Sequence, residues 1–413
     1  MLVGPDKVRE VLDAKLNSVE IVDVHTHLFP AEFTGMLLWG IDEILTYHYL
    51  IAEYFRYSEL DYAEFFRLPK AKQAELIWQT LFVERSPVSE AQRGVLTILQ
   101  RLGLDVGARS LEEYREYFRG RTLNEQIDTV FQLARVKEIV MTNDPFDPQE
   151  REYWKGETEV DPRFKSSLRI DPLLVNFPQA VQTLQGEGYG VSADFSGSSA
   201  AEVRRFLSDW VTKIDALYMA ASLPPTFTVF DDSIQTRVLK ECVLPVCREH
   251  NIPFAMMIGV KKLVNKELGL AGDSVGKAEI RVVEQLCTEY PENKFLVTML
   301  SRENQHELAI AARKYGNLMV FGCWWFLNNP SLVEEITAMR LETLGLSFIP
   351  QHSDARVLEH LIYKWEHSKK IIGDVLAEKY GDILATGWQL TEDQVQKDVE
   401  ELFQNNFYRF LRR

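Results

Sequence analysis

Eight short apolar runs recur along the chain, each followed by polar residues and then by a helical pattern. The runs lie at 20–25, 138–142, 167–171, 216–222, 253–259, 294–300, 317–322 and 346–351. Nearly continuous apolar strands that alternate with helices are typical of a parallel sheet buried on both faces, and eight such units favour a closed barrel over an open sheet. The pattern therefore predicts an α/β fold, a distorted (β/α)8 barrel of the TIM type.

A long insertion separates the first two apolar runs. The interval from about 31 to 135 greatly exceeds one strand-to-helix connection, and Ser110 with Glu113 and Thr122 with Glu125 both fit the capping box that marks a helix start. We expect several helices here, above the mouth of the barrel, and further helices after the last strand. No low-complexity tract or obvious flexible linker divides the chain, so 1–413 is predicted to be one domain.

The charge balance limits the possible partners. The chain has 61 acidic and 46 basic residues, a net charge of −15, which opposes binding to nucleic acid or to an anionic membrane surface. There is no run of about 18 apolar residues and no secretory leader pattern, and the four cysteines form no CxxC pair. We therefore expect a cytoplasmic protein with reduced cysteines. An anionic substrate would need arginines or a metal close to it.

Two histidines at the end of the first apolar run predict a metal site. His25 and His27 stand two apart, so a strand projects both rings to one side, and barrel enzymes build their sites at the C-terminal ends of strands. Asp354 follows the eighth run and would complete a site of two histidines and one carboxylate, suited to Zn²⁺, or to Mn²⁺ or another divalent ion. Alternatively, the histidines are polar loop residues, and Asp354 caps the following helix.

Arginines at strand ends are candidates for binding an anionic substrate. Arg169 follows the third run and Arg356 follows Asp354, and a guanidinium group can bind a carboxylate with two parallel hydrogen bonds. Arg302 is a weaker third candidate, because it could equally pair with a neighbouring acidic residue. Trp324 could line a sugar pocket, or it could cover the rim of the barrel.

Several segments together resemble one enzyme family over essentially the whole chain. They are DVHTHLF at 23–29, TYHYL at 46–50, TNDPFD at 142–147, LRIDPLL at 168–174, LVTMLSRENQHE at 296–307, FGCWWFLNNP at 321–330 and IPQHSDAR at 349–356. With the long helical insertion, these segments resemble the uronate isomerases of the amidohydrolase superfamily, and among them a divergent bacterial branch.

The resemblance implies the interconversion of an aldohexuronate and a ketohexuronate, such as glucuronate and fructuronate or galacturonate and tagaturonate, by proton transfer between C2 and C1. It implies metal ligation by His25, His27 and Asp354, with Asp354 also able to exchange a proton with a substrate hydroxyl. His48 and Tyr49 match the family's acid–base pair, although their aromatic surroundings alone would favour core packing. A homo-oligomer is also expected.

One position departs from the family's pattern. Better-known members carry a histidine near the metal on the fifth strand, whereas the corresponding stretch here contains Met257, a poor ligand for hard or borderline ions. Two other functions remain open: a metal-dependent hydrolase, and a noncatalytic barrel that binds sugar acids. A hydrolase would typically recruit lysine or further histidines from the middle strands, and strands four to six do not present them.

Overall fold

A computed structural model describes residues 1–156 and 159–413. Its main sheet has seven parallel strands in the order β1-β2-β3-β4-β5-β8-β9, and β6 pairs with β7 in a separate antiparallel hairpin. In chain order, β1 to β9 are Ile21–Thr26, Val136–Asn143, Phe164–Arg169, Ala216–Leu223, Phe254–Ile258, Val260–Lys261, Ser274–Val275, Phe295–Met299 and Leu318–Val320. β1, β5 and β8 are buried along their whole length, as expected for a sheet covered on both faces.

The eighth predicted strand, 346–351, lies beside the end of β9 but pairs with that side of the sheet only through one isolated parallel bridge, between Phe321 and Ile349. The amide of Ile349 donates to Val320 O at 3.0 Å, and its carbonyl accepts from Gly322 N at 2.9 Å. Pro350 comes next and has no amide hydrogen to continue the ladder. The prediction of eight regular strands was therefore wrong for this one, although the curled sheet of the barrel-like α/β fold is confirmed.

The predicted insertion between β1 and β2 is helical and contains α2 to α8. The helices α1 to α20 are Val8–Ser18, Ile41–Leu45, His48–Tyr54, Tyr62–Arg67, Lys70–Trp78, Glu90–Arg101, Leu111–Arg119, Leu123–Ala134, Pro148–Tyr153, Asp171–Val175, Phe177–Gly186, Ser199–Lys213, Ile234–Val238, Leu244–Glu249, Arg281–Glu289, Gln305–Ala312, Pro330–Leu344, His360–Ala385, Glu392–Glu400 and Asn406–Leu411. Helices α18 to α20 follow the last strand, as predicted. Among the described residues, none of these helices has both the length and the apolar character needed to cross a bilayer.

Side-chain caps mark the starts of two helices in the insertion. Thr122 and Glu125 form the reciprocal capping box at the start of α8. Ser110 caps α7 by accepting from Glu113 N at 3.4 Å, which is half of the predicted box. These caps fix where α7 and α8 begin. His48 occupies the first position of α3, which begins after Tyr47 without a side-chain cap.

Three apolar clusters form the interior, and the largest packs the helices of the insertion against α1 and α18. The other two lie on opposite faces of the sheet. One lies outside the sheet, between strands and helices, and contains Leu168, Met219 and Phe254. The other fills the inside of the barrel and contains Val22, Tyr218 and Met257. Alternate residues of one strand thus face opposite clusters, which is the period of two expected for a strand. The packed interior leaves the C-terminal strand ends as the place where polar side chains converge.

Candidate active site and metal centre

His25, His27 and Asp354 converge at the C-terminal end of β1. Nε2 of His25 lies 3.7 Å and Nε2 of His27 lies 3.2 Å from Oδ1 of Asp354. One ligand atom from each residue lies within 4.8 Å of the other two. The two rings meet edge to face with centroids 5.3 Å apart, so both nitrogens point to a common centre. The structure therefore brings together all three residues predicted to bind a metal.

The chemical state of this cluster suits a divalent cation. Burial lowers the pKa of His25 to about 4, and burial together with the Arg356 charge holds the pKa of His27 well below its usual range. Both rings are therefore neutral at neutral pH, which is the form that ligates metals. Oδ1 of Asp354 is buried and accepts no hydrogen bond of good geometry from the described residues. Two imidazole nitrogens and one carboxylate oxygen, with further positions open, fit a catalytic metal site.

Tyr218 and Thr142 orient the His25 ring. The hydroxyl groups of Tyr218 and Thr142 lie 3.3 and 3.4 Å from Nδ1 of His25. Tyr218 donates its own hydrogen to Val24 O at 2.7 Å and Thr142 donates to Thr26 O at 2.9 Å, so both oxygens are free to accept from Nδ1. This arrangement leaves Nε2 of His25 unprotonated and facing Asp354. No pattern in the sequence pointed to Tyr218, which lies 193 residues from His25 along the chain.

A buried network holds the segment that carries Asp354. Oδ1 of Asp23 accepts from Ser353 N at 3.1 Å, and Oδ2 accepts from Trp365 Nε1 at 2.8 Å. Nζ of Lys364 donates to Ser353 O at 2.6 Å. Burial raises the pKa of Asp23 to about 6 and lowers that of Lys364 to about 8. No motif in the sequence singled out these residues, although Asp23 stands two positions before His25 and thus faces the same side of β1.

Gly322 allows another histidine to pack beside the cluster. The ring of His352 lies 5.4 Å from that of His25, centroid to centroid. Gly322 has φ +67°, and a Cβ atom built there would lie 1.8 Å from Nδ1 of His352. Only glycine fits this position, both for its backbone conformation and for the space that the ring occupies. His352 is fully buried, so it supports the site from behind rather than lining the cavity in front.

A cavity of about 600 Å³ opens in front of the cluster. Its wall includes four predicted site residues: His27, His48, Arg169 and Arg356. It also includes polar residues that sequence analysis did not select: Tyr47, Thr142, Asp144 and Glu150. The cavity is large enough for a six-carbon sugar acid, and it exposes that molecule to acids, bases and cations together.

The two arginines of the cavity differ in their surroundings. Nη2 of Arg356 lies 3.4 Å from Nε2 of His27, so this guanidinium group reaches the metal cluster. Arg169 pairs with Asp171, its Nε and Nη2 lying 3.0 and 2.5 Å from Oδ2. Asp171 in turn accepts a hydrogen bond from the backbone amide of Ser222 at 2.9 Å. Arg169 is thus fixed in orientation, and its remaining N–H groups are available to a ligand in the cavity.

A uronate isomerase from Bacillus halodurans C-125 has the same fold with a TM-score of 0.98 and is 55% identical in sequence, over 100% of this chain and 98% of that chain. This chain belongs to the uronate isomerase family. No protein-family model matches the chain, and no curated protein sequence matches it.

More distant members of the uronate isomerase family share the fold. A uronate isomerase from Thermotoga maritima is 16% identical with a TM-score of 0.77, covering 100% of both chains. A glucuronate isomerase from Caulobacter crescentus is 14% identical with a TM-score of 0.78, covering 99% of this chain and 94% of that chain. At these identities the likeness concerns the fold alone.

In this member of the uronate isomerase family, only His48 of the predicted acid–base pair lines the cavity, and Tyr49 packs behind it. His48 faces the cavity, its Nε2 has no hydrogen-bond partner among the described residues, and burial lowers its pKa to about 3. The hydroxyl group of Tyr49 is buried and also makes no hydrogen bond with them. The Tyr49 ring packs edge to face on His48 at 4.6 Å, whereas Tyr47 lines the cavity directly.

Two other predicted binding residues lie elsewhere in this uronate isomerase fold. The cavity wall, as the described residues define it, contains neither Arg302 nor Trp324. Arg302 is exposed and pairs with Glu335 at 3.0 Å, which is the alternative that its sequence left open. Trp324 is buried in the cluster inside the barrel, and its neighbour Trp325 approaches His48 with ring centroids 5.6 Å apart.

Met257, which stands where better-known members of the family carry a histidine, is buried inside the barrel with Tyr218. Its thioether adds an apolar group rather than a nitrogen ligand. The metal cluster found among the described residues accordingly consists of His25, His27 and Asp354.

Proposed function

We infer that this protein is a uronate isomerase, which interconverts the aldose and ketose forms of a hexuronate. The observation that carries this inference is the full-length likeness to a uronate isomerase at 55% identity. The site agrees with it, because a metal cluster, two arginines and His48 meet at one cavity. Such a set suits a substrate with a carboxylate at one end and a carbonyl at the other. The comparisons do not favour a metal-dependent hydrolase.

A divalent ion held by His25, His27 and Asp354, for which Zn²⁺ is our first candidate and Mn²⁺ a second, would polarise substrate oxygens. The arginines Arg169 and Arg356 would bind the substrate carboxylate or adjacent hydroxyls and fix the chain in the cavity. Binding energy from this end orients C1 and C2 for proton transfer.

Proton transfer between C2 and C1 would fall to His48, which lines the cavity, and to Tyr49, which packs against the His48 ring. His48 is neutral and can accept a proton, and Tyr49 can donate its hydroxyl hydrogen to an oxygen on which charge develops. Asp354 would exchange a proton with a substrate hydroxyl. A single-domain organisation, a homo-oligomeric state, a cytoplasmic location and the absence of nucleic-acid or membrane partners remain predictions from sequence.

The test is a coupled assay of metal-loaded protein with D-glucuronate and D-galacturonate, run on wild type, Asp354→Asn and Asp382→Asn. Asp382 is an exposed residue of α18 and provides a matched control. We expect Asp354→Asn to lose bound metal and at least about a hundredfold in turnover, because a Lewis acid contributes several kcal/mol to such a step. Asp382→Asn should behave as wild type.

Two outcomes would contradict the proposal. If neither uronate is converted while ester or amide substrates are hydrolysed, the protein is a hydrolase. If metal and a uronate both bind without any turnover, it is a noncatalytic sugar-acid-binding protein.

A further inference from the structure

A second cavity of about 600 Å³ lies at the opposite end of the barrel from the candidate active site. Its wall comes from α1, the last residue of α6, the end of α8 and the N-terminal half of α18. Arg135, part of this wall, directly precedes β2, which places the cavity next to the N-terminal ends of the strands. A ligand bound here would therefore not touch the metal cluster.

The wall of this second cavity is strongly basic. It contains the five cations Arg9, Arg101, Arg135, Lys369 and Lys370. The same wall carries two carboxylates among the described residues, Asp13 and Glu366, and Asp374 pairs with Arg9 from outside the wall, which leaves a net charge of +2. The whole chain has a net charge of −15, so the positive charge of this wall is opposite in sign to that of the protein as a whole. A positive cavity in an acidic protein attracts anions locally.

Lys369 is the more buried of the two lysines in this wall. It is half-buried, and its ammonium group makes no hydrogen bond or ion pair within the described parts of the chain. Burial, with the charges of Arg135 and Arg101, lowers the pKa of Lys369 to about 8. Holding three mutually repelling cations around one cavity costs stability, and such a cost is typical of functional sites.

The two arginines retain most of their hydrogen-bonding capacity. Arg135 donates from Nη2 to Ser18 O at 2.7 Å and has a left-handed backbone with φ +54°. Arg101 lies 3.3 Å from a carboxylate oxygen of Glu366 and donates to Leu133 O at 3.4 Å. Because a guanidinium group has five N–H donors, several remain for a ligand. Arg101 also neutralises the carbonyl end of α8, but this role does not explain why Lys369 is half-buried beside the two arginines.

We propose that this cavity binds a small, polyhydroxylated organic anion that carries phosphate groups, a ligand of the sugar-phosphate class. The arginines and Lys369 match phosphate oxygens, and the side chains of Asn17 and Gln132 can bind hydroxyl groups. The described wall contains no aromatic ring on which a nucleobase could stack, which argues against a nucleotide. This inference does not depend on the proposed isomerase activity.

Isothermal titration calorimetry with fructose 1,6-bisphosphate tests the proposal, with fructose as the uncharged counterpart. Wild type should bind the bisphosphate saturably at one site and should not bind fructose. Lys369→Met, Arg101→Gln and Arg135→Asn should each weaken binding by about tenfold or more, since each removes a charge-assisted hydrogen bond. Asparagine at 135 tolerates the left-handed backbone. Lys240→Gln, which removes a charge from the helix before β5, should change affinity less than about twofold.

Thermal unfolding provides a second readout that separates binding from folding. The bisphosphate should raise the unfolding midpoint of wild type. Lys369→Met should unfold at a higher temperature than wild type without ligand, because a repelled cation is removed, yet the bisphosphate should raise its unfolding midpoint less than that of wild type.

The proposal is overturned if no saturable binding occurs up to about 10 mM bisphosphate, since a dissociation constant above this value corresponds to less than about 3 kcal/mol of binding free energy. It is also overturned if Arg169→Gln abolishes binding while Lys369→Met does not, which would place the ligand at the candidate active site. Equal weakening by Lys240→Gln would show general charge attraction only.

Discussion

The backbone amide of Asp354 donates a 3.1 Å hydrogen bond to the carbonyl oxygen of His25. His27 N donates in turn to Ala355 O at 2.8 Å, so two backbone hydrogen bonds join the segment after the eighth apolar run to the end of β1. Asp354 adopts a left-handed backbone with φ +49°, a conformation that aspartate tolerates better than most residues. This closure of the barrel is what places a carboxylate beside two imidazoles.

Removing the Tyr218 hydroxyl should weaken metal binding. In Tyr218→Phe, Nδ1 of His25 loses the nearer of its two acceptors, at 3.3 Å, and keeps only Thr142 at 3.4 Å, so its tautomer is less firmly fixed. We expect metal affinity to fall by roughly 10- to 100-fold, the usual effect of losing such a partner. Tyr114→Phe is the matched control, because Tyr114 also donates to a backbone carbonyl, that of Asp105, at 2.9 Å. Metal titration of the apoprotein measures both variants, and equal loss in the control would contradict the assignment.

Exchanging Arg356 for lysine should impair substrate binding although the charge is kept. Lysine cannot form the two parallel hydrogen bonds of a guanidinium group, so KM for the uronate should rise by about 10- to 100-fold. Arg302→Lys should leave KM unchanged, because Arg302 is exposed and pairs with Glu335. Steady-state kinetics with both variants decides the point. If Arg302→Lys raises KM as much as Arg356→Lys does, Arg302 belongs to the site in solution.

The Tyr49 hydroxyl should matter for turnover and not for folding. It is buried without a hydrogen-bond partner among the described residues, so Tyr49→Phe should leave the free energy of unfolding unchanged or raise it by about 1 kcal/mol. Turnover should fall by about a hundredfold if this group donates a proton or hydrogen bond in the reaction. In the control Tyr380→Phe, which loses a 2.8 Å hydrogen bond to Asp398, stability should fall and turnover per folded enzyme should not. Full activity of Tyr49→Phe would remove Tyr49 from the mechanism.

Glu359 should make stability depend on pH. It is buried and accepts hydrogen bonds from Gly40 N at 3.2 Å and Gln126 Nε2 at 3.0 Å, and burial raises its pKa from 4.5 to about 7. Because the folded state holds this proton more tightly than the unfolded chain, its contribution is complete below about pH 4.5 and is lost as the pH rises through 7.

The measurement is urea denaturation near pH 5 and near pH 8. Between them wild type should lose about 2 to 3 kcal/mol through Glu359, and Glu359→Gln should lose correspondingly less. Glu10→Gln, at an exposed position of α1, should follow wild type. If Glu359→Gln and wild type lose the same free energy, Glu359 is ionised at neutral pH.

The sequence predicted the parts of the site that are defined by local periodicity. His25 and His27 could be placed on one side of a strand because side chains of a strand repeat every two residues. The apolar runs predicted seven of the regular strands, and the insertion is helical as expected. The eighth strand was over-predicted, because an apolar run does not reveal whether its neighbours will supply continuous hydrogen bonds.

Sequence alone also could not separate Arg356 from Arg302, or foresee that Tyr47 lines the cavity while Tyr49 packs behind His48. The sequence by itself thus determined the alternation of strand and helix, the helix caps and the paired imidazoles, all of which follow from interactions within a few residues. Only the tertiary structure decided that Asp354 meets His25, that Tyr218 orients that ring, and that cations of α1, α6 and α18, with Arg135 after α8, surround a second cavity. Those contacts depend on how the barrel closes and how distant helices pack, which no local pattern encodes.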